Sequence, residues 1–239
     1  MVLRFFIFAA AFLVSCTSEE RDSVCDEKSV YYNGCVGGGS SSSTQSGIIY
    51  GPNFFFQGEN YETVIIGNQV WMARNLNYDA PGSECYENTL AYCDQYGRLY
   101  DWATVMNLST ICNSSSCASQ IGAKHRGMCP DDWHIPSSAE WNTLINYVGD
   151  VSYAGTKLKA TSDWNNGSGT NTYGFSALPG GYGSGGFNFF GVGKSGYWWS
   201  SSEGSNNYAY SYYMDYDKEY ANSNESRKSY MYSVRCVKD

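Results

Sequence analysis

Three features of this 239-residue sequence predict an α+β fold of antiparallel strands, two main helices and long glycine- and aromatic-rich loops. Two β-rich runs, Glu62-Thr63-Val64-Ile65-Ile66 and Gln69-Val70-Trp71-Met72, flank Gly67-Asn68, a two-residue turn of the hairpin kind. Pro136-Ser137-Ser138-Ala139-Glu140 carries a capping box, with Ser137 as N-cap and Glu140 at N3. From residue 173 onward, glycine-rich turns alternate with aromatic runs. Helical signals that precede a strand-and-loop half, instead of alternating with strands, point away from a parallel α/β sheet.

At the start of the chain, Arg4 precedes an apolar run over residues 5–14 that closes on Leu13-Val14-Ser15-Cys16. The run is short of the ~20 residues a spanning helix needs and has the form of a secretory signal. Leu at −3, a small residue at −1 and Cys at +1 match a lipobox, in which the thiol receives a diacylglycerol. Cys16 is then the acylated first residue of the mature chain, tethered to a bacterial envelope, with the outer membrane as the expected site; two or three acyl chains anchor stably where one does not. The alternative is an ordinary secretory signal cut near Ser15. Residues 16–36 form a short cysteine-bearing segment. Residues 37–47 have the Gly/Ser composition of a flexible linker, and residues 48–239 form one domain.

Inside that domain the hairpin comes first. A helix is expected over residues 100–108, with Trp102, Val105 and Met106 on one side. The surest helix follows Ser137, where Trp141, Leu144, Ile145 and Val148 keep helical spacing until Gly149. The closing run Tyr230-Met231-Tyr232-Ser233-Val234-Arg235-Cys236-Val237 reads as a late strand.

The formal charge of −8 leaves no basic patch to displace counterions from a polyanion, which excludes nucleic acid as a partner. Nine cysteines in an exported chain imply disulfides. With Cys16 lipidated eight remain, and eight allow 105 pairings. The spacings favour local bonds, Cys25 with Cys35, Cys85 with Cys93 and Cys112 with Cys117, which leaves Cys129 for Cys236. A bridge closing so long a loop is worth roughly 4 to 5 kcal/mol in the chain-entropy model. A zinc site is disfavoured: there is no Cys-x-x-Cys, and His125 and His134 lack ligand spacing.

Several motifs in order resemble the Fibrobacter succinogenes major paralogous domain family. They include Gly67-Asn68-Gln69-Val70-Trp71-Met72-Ala73-Arg74-Asn75-Leu76, Tyr96-Gly97-Arg98-Leu99-Tyr100 and Cys129-Pro130-Asp131-Asp132-Trp133-His134-Ile135-Pro136. Tyr173-Gly174-Phe175-Ser176-Ala177-Leu178-Pro179-Gly180-Gly181, Trp198-Trp199-Ser200-Ser201-Ser202 and Ser233-Val234-Arg235-Cys236 continue the likeness. The resemblance spans residues 59–239 and implies an exported, often lipid-anchored protein. It also implies a fold similar to the C-type lectin-like group, which includes the formylglycine-generating enzymes. Those enzymes use a redox-active cysteine pair late in the chain. Here Met231 and Tyr232 stand upstream of a single Cys236, so that activity is not carried over, and an unrecognised related enzyme is the enzymatic alternative.

Chemistry-bearing motifs are otherwise sparse. Gly181-Tyr182-Gly183-Ser184-Gly185-Gly186 has the G-x-G-x-x-G spacing but precedes a strand-like run instead of a helix. Gly193-Lys194-Ser195 lacks the first glycine of a phosphate loop. His134 reads as a packed structural residue and His125 as part of a solvated loop. No cofactor is called for. Calcium is the one metal considered, at Asp215, Asp217 and Glu219, although Tyr220 replaces the glycine that an EF-hand loop requires.

What remains is aromatic surface, with 22 Tyr, 7 Trp and 11 Phe. Sugar rings present apolar C–H faces that lie on phenol and indole rings, while their hydroxyls bond to amides and carboxylates. Consecutive strand residues point to opposite faces, so either one of Trp198 and Trp199 lies in the core and the other needs a cover, a partner or a ligand, or both are buried beneath neighbouring loops. Tyr182, Phe187, Tyr197 and Trp199 are the candidate ligand-binding residues, in loops between residues 179 and 202. The expected activity is non-catalytic binding of a polysaccharide, with a protein partner in a surface assembly as the rival.

Overall fold

The computed structural model describes residues 47–167, 169–185 and 188–239. The lipobox with Cys16, the Cys25 and Cys35 pair, and Phe187 lie outside the described residues. The chain begins with β1 (Tyr50–Phe56), β2 (Glu59–Ile66) and β3 (Gln69–Met72), followed by α1 (Leu90–Tyr96), the short α2 (Trp102–Val105) and β4 (Trp133–His134). Next come α3 (Ser138–Val148) and α4 (Val151–Leu158). The last part holds β5 (Gly180–Gly183), β6 (Phe189–Val192), β7 (Ser195–Glu203), β8 (Tyr208–Asp215), β9 (Asn222–Arg227) and β10 (Val237–Lys238).

Two five-stranded sheets result, in the orders β1-β2-β3-β10-β4 and β6-β5-β7-β8-β9. Pairing is antiparallel except between β5 and β7, which meet in parallel at Gly181 and Gly196. The architecture is therefore α+β with mixed sheets. The hairpin turns where expected: Gly67 adopts φ +65°, and a Cβ there would stand 2.9 Å from the Tyr147 ring. A left-handed first turn residue is what a two-residue type II′ hairpin demands of glycine. The late strand β10 inserts between β3 and β4, setting Val237 opposite both Trp71 and His134. Of the expected run over residues 230–237, only this end is a strand. Met231, Tyr232 and Ser233 make single bridges to Gly183, Tyr100 and Trp198.

The capping box forms in full: Ser137 Oγ accepts from the Glu140 amide, and the Glu140 carboxylate accepts from the Ser137 amide at 2.8 Å. The helix buries Trp141, Leu144, Ile145 and Val148 and ends at Gly149, φ +150°. The helix expected over residues 100–108 is only the four residues of α2, because Asn107 turns left-handed at φ +52°. There are four helices among the described residues instead of two. In α4, Asp150 caps by accepting from the Ser152 amide at 2.7 Å. Gly155 breaks its apparent periodicity for a packing reason, since a Cβ would meet the Tyr220 carbonyl at 2.1 Å. None of the helices among the described residues is long and apolar enough to cross a membrane.

Both Trp198 and Trp199 are fully buried, so of the two alternatives the structure has the one in which both faces are covered. β7 is a central strand covered on both faces, so each side of its pleat meets a core. Trp198 packs with Trp71, Trp141 and Phe175, and Trp199 with Tyr100, Trp102 and Tyr232. Each indole N–H finds an acceptor, Asn75 Oδ1 for Trp198 and the Tyr100 carbonyl for Trp199, both at 2.8 Å, as buried polar groups require. Disulfides join Cys85 to Cys93, Cys112 to Cys117 and Cys129 to Cys236.

Candidate functional site: an aromatic groove beside β1

A groove of about 900 Å³ opens between β1, the segment after α2, and the wall formed by residues 126–133. Alternation along β1 sends Phe54 and Phe56 inward to half-buried positions and leaves Phe55 68% exposed. Phe54 is clasped between Tyr61, stacked at 5.4 Å, and Trp133 at 4.8 Å. Phe56 meets Tyr78 edge-on at 5.9 Å. These rings make an apolar floor. Its rim is polar: Thr104 and Asn107 stand on one side, the Arg126–Asp131 ion pair on the other, and Lys238 sits 5.6 Å over the Trp133 ring.

The far wall is held tightly. Gly127, φ +53°, presses against α2, where a Cβ would come within 2.3 Å of the Val105 carbonyl. The Cys129–Cys236 disulfide fastens the same wall to the chain entering β10. Concave, open to solvent and lined by aromatic and polar groups in comparable measure, the groove is a candidate binding site among the described residues.

The aromatics expected to bind are placed differently. Tyr182 and Tyr197 are half-buried and lie 5.2 Å apart. Tyr197 stacks on Tyr232 at 4.9 Å and on Tyr213 at 5.6 Å, and Tyr182 packs on Phe190 at 5.5 Å. Their rings therefore pack largely against one another. Burial, with Asp215 nearby, pushes the Tyr197 phenol up to about 12, and it stays protonated at neutral pH. Trp199 is buried with its N–H satisfied and offers no face to a ligand, which corrects its place among the binding candidates. The groove residues Phe54, Phe56, Tyr78 and Trp133 went unrecognised. Phe54-Phe55-Phe56 in an otherwise polar stretch was the available signal.

Other polar clusters have structural work. His134 is buried between Glu140 Oε1 at 2.7 Å from Nε2 and Asp239 Oδ1 at 2.6 Å from Nδ1. Burial opposes its charge, but the two carboxylates outweigh that and raise its pKa. His125 is half-buried, its Nε2 2.7 Å from the Met106 carbonyl, and is more enclosed than a solvated loop residue.

In the loop that carries Asp215, Asp217 and Glu219, the cation is internal. Lys159 Nζ donates to the Asp215 and Lys218 carbonyls at 2.9 and 2.7 Å. Among the described residues no three His, Cys, Asp or Glu side chains gather as a metal site. Buried Lys228 pairs with Glu203, which also accepts from the Cys117 amide at 2.9 Å and so ties the Cys112–Cys117 loop to β7. Cys236 is bonded to Cys129, and every cysteine among the described residues is in a disulfide.

The family model described as the Fibrobacter succinogenes major domain matches residues 64–238. No match was found among curated proteins or among solved structures.

Proposed function

The chain belongs to the Fibrobacter succinogenes major domain family, and from that premise we propose a lipid-anchored protein of the bacterial envelope whose domain captures polysaccharide without catalysing a reaction. The observation that carries this reading is the groove beside β1. Its half-buried rings Phe54, Phe56 and Tyr78, with Trp133 buried behind Phe54, suit the C–H faces of sugar rings, and its rim of Thr104, Asn107 and Asp132 suits their hydroxyls. We read the fold as C-type lectin-like. Two small sheets, long loops and a bond from Cys129 to the late-chain Cys236 support that reading.

The lipobox at Cys16 supports the anchor, and the outer membrane is the proposed location. Fractionation of cells expressing Cys16→Ala tests it: the variant should leave the membrane fraction, and equally firm retention would remove lipidation from the reading. The detergent-solubilised chain on an array of plant and bacterial polysaccharides tests the ligand class. Capture that weakens on Phe56→Ala supports the groove, and absence of any capture removes the glycan reading.

One observation favours a protein partner as the second reading. Among the described residues β1 is an edge strand, and Tyr50 and Phe55 within it and Ile49 just before it are exposed. An unpaired apolar edge invites strand addition from another chain. Tyr50→Lys should disrupt such an assembly in cells while leaving polysaccharide capture in place.

A further inference from the structure

The groove is charge-matched within itself. Arg126 and Asp131 pair on one side of its rim, Lys238 lies over Trp133, and Asp132 lines the same groove, so two cations and two carboxylates share it. The chain around it carries a formal charge of −8. An acidic sugar has to compete with Asp131 for Arg126 and is repelled by the field of the whole molecule. An uncharged ring needs only contact with the aromatic floor and hydrogen bonds from the rim. We propose that the groove selects uncharged polysaccharide and rejects chains built from uronic acids. This rests on the glycan reading above and narrows its substrate class.

The size of the discrimination follows from exposure. Arg126 and Asp131 side chains are 58% and 88% exposed, and pairs of that kind are worth at most about 1 kcal/mol, which corresponds to about fivefold in affinity. Selectivity against acid groups is therefore a bias that one substitution weakens. In Asp131→Asn the Arg126 guanidinium loses its internal partner and becomes available to a sugar carboxylate.

The test compares capture by the full-length protein in detergent on immobilised neutral polysaccharides and on polygalacturonate, at 50 and 500 mM NaCl. Neutral chains should be retained with less than about a twofold change between the two salt conditions, because no net charge pairing is screened. Polygalacturonate should be retained weakly by the natural protein and about fivefold better by Asp131→Asn, with the gain lost at high salt. Asp131→Ser, which also removes the carboxylate paired with Arg126, repeats the test should Asp131→Asn fold poorly. Preference of the natural protein for polygalacturonate, or no gain in either variant, overturns the charge-matching proposal while leaving the glycan reading in place. Failure to retain any polysaccharide removes the glycan reading itself.

Discussion

Arg235 Nε donates to Asn75 Oδ1 across 2.7 Å, and neither side chain is exposed to solvent. The same oxygen accepts from the Trp198 indole at 2.8 Å, and Asn75 Nδ2 donates onward to the Tyr96 carbonyl at 2.8 Å. The rest of the guanidinium serves the carbonyls of Met72, Phe175 and Ser176 and lies 4.5 Å over the Phe175 ring. Those acceptors are all uncharged. Burial pulls the Arg235 pKa down to about 9, which leaves it charged at neutral pH. One side chain thus joins the end of the hairpin, the loop before β5 and the approach to β10.

Removing Arg235 strands several buried acceptors at once. Arg235→Leu should cost about 3 to 5 kcal/mol, since each unsatisfied buried group costs about 1 to 3 kcal/mol and partial relaxation recovers some of the total. Arg235→Lys should recover little, because an ammonium cannot reproduce the planar fork. Urea unfolding of both variants checks this, and a loss under 1 kcal/mol for Arg235→Leu would contradict the assignment.

His134 makes stability depend on pH from both sides. Its pKa is raised in the fold, so its contribution is fully present below the ordinary histidine value of 6.5 and is lost as pH rises through the raised value. Burial opposes ionisation of Glu140, but hydrogen bonds from His134 and Ser137 outweigh it and lower its pKa. Its contribution is therefore present above the ordinary value of 4.5 and is lost as pH falls through the lowered one. Thermal melts should peak between these limits, and His134→Gln should flatten the decline on the alkaline side. An unchanged alkaline limb in that variant would show that His134 does not drive it.

The bond between Cys129 and Cys236 spans 107 residues of sequence and also fixes one wall of the groove. A loop of that length corresponds to about 4 to 5 kcal/mol in the chain-entropy model. Cys129→Ala with Cys236→Ala should lower the melting temperature and weaken polysaccharide capture even at temperatures where the variant stays folded. Capture that is unaffected in the folded double variant would separate the groove from this brace.

Local signals were legible in the sequence, and distant convergence was not. Gly67-Asn68 and the Ser137–Glu140 box are complete within a few residues, so the turn and helix they encode needed no tertiary context. Cysteine parity with three local pairs, of which Cys85–Cys93 and Cys112–Cys117 lie in the described residues, led to the Cys129–Cys236 bond. Gly155 hid α4 because it answers to the Tyr220 carbonyl, a neighbour far along the chain. Trp199 looked exposable because strand alternation cannot tell a central strand from one covered on a single face. The groove was invisible for the same reason: Phe54, Tyr78, Arg126 and Lys238 share it only once β10 has entered the first sheet.

The most direct measurement sets two aromatic truncations side by side, Phe56→Ala in the groove and Tyr182→Ala in the packed tyrosine cluster, with polysaccharide capture and melting temperature read on each. Phe56→Ala should reduce capture by up to about tenfold, on the scale of one lost aromatic contact of about 0.5 to 1.5 kcal/mol, with a small change in melting temperature. Tyr182→Ala should mainly lower the melting temperature and leave the capture of the folded protein intact. The reverse pattern, capture lost with Tyr182→Ala and retained with Phe56→Ala, would contradict the groove and move the binding face to the second sheet.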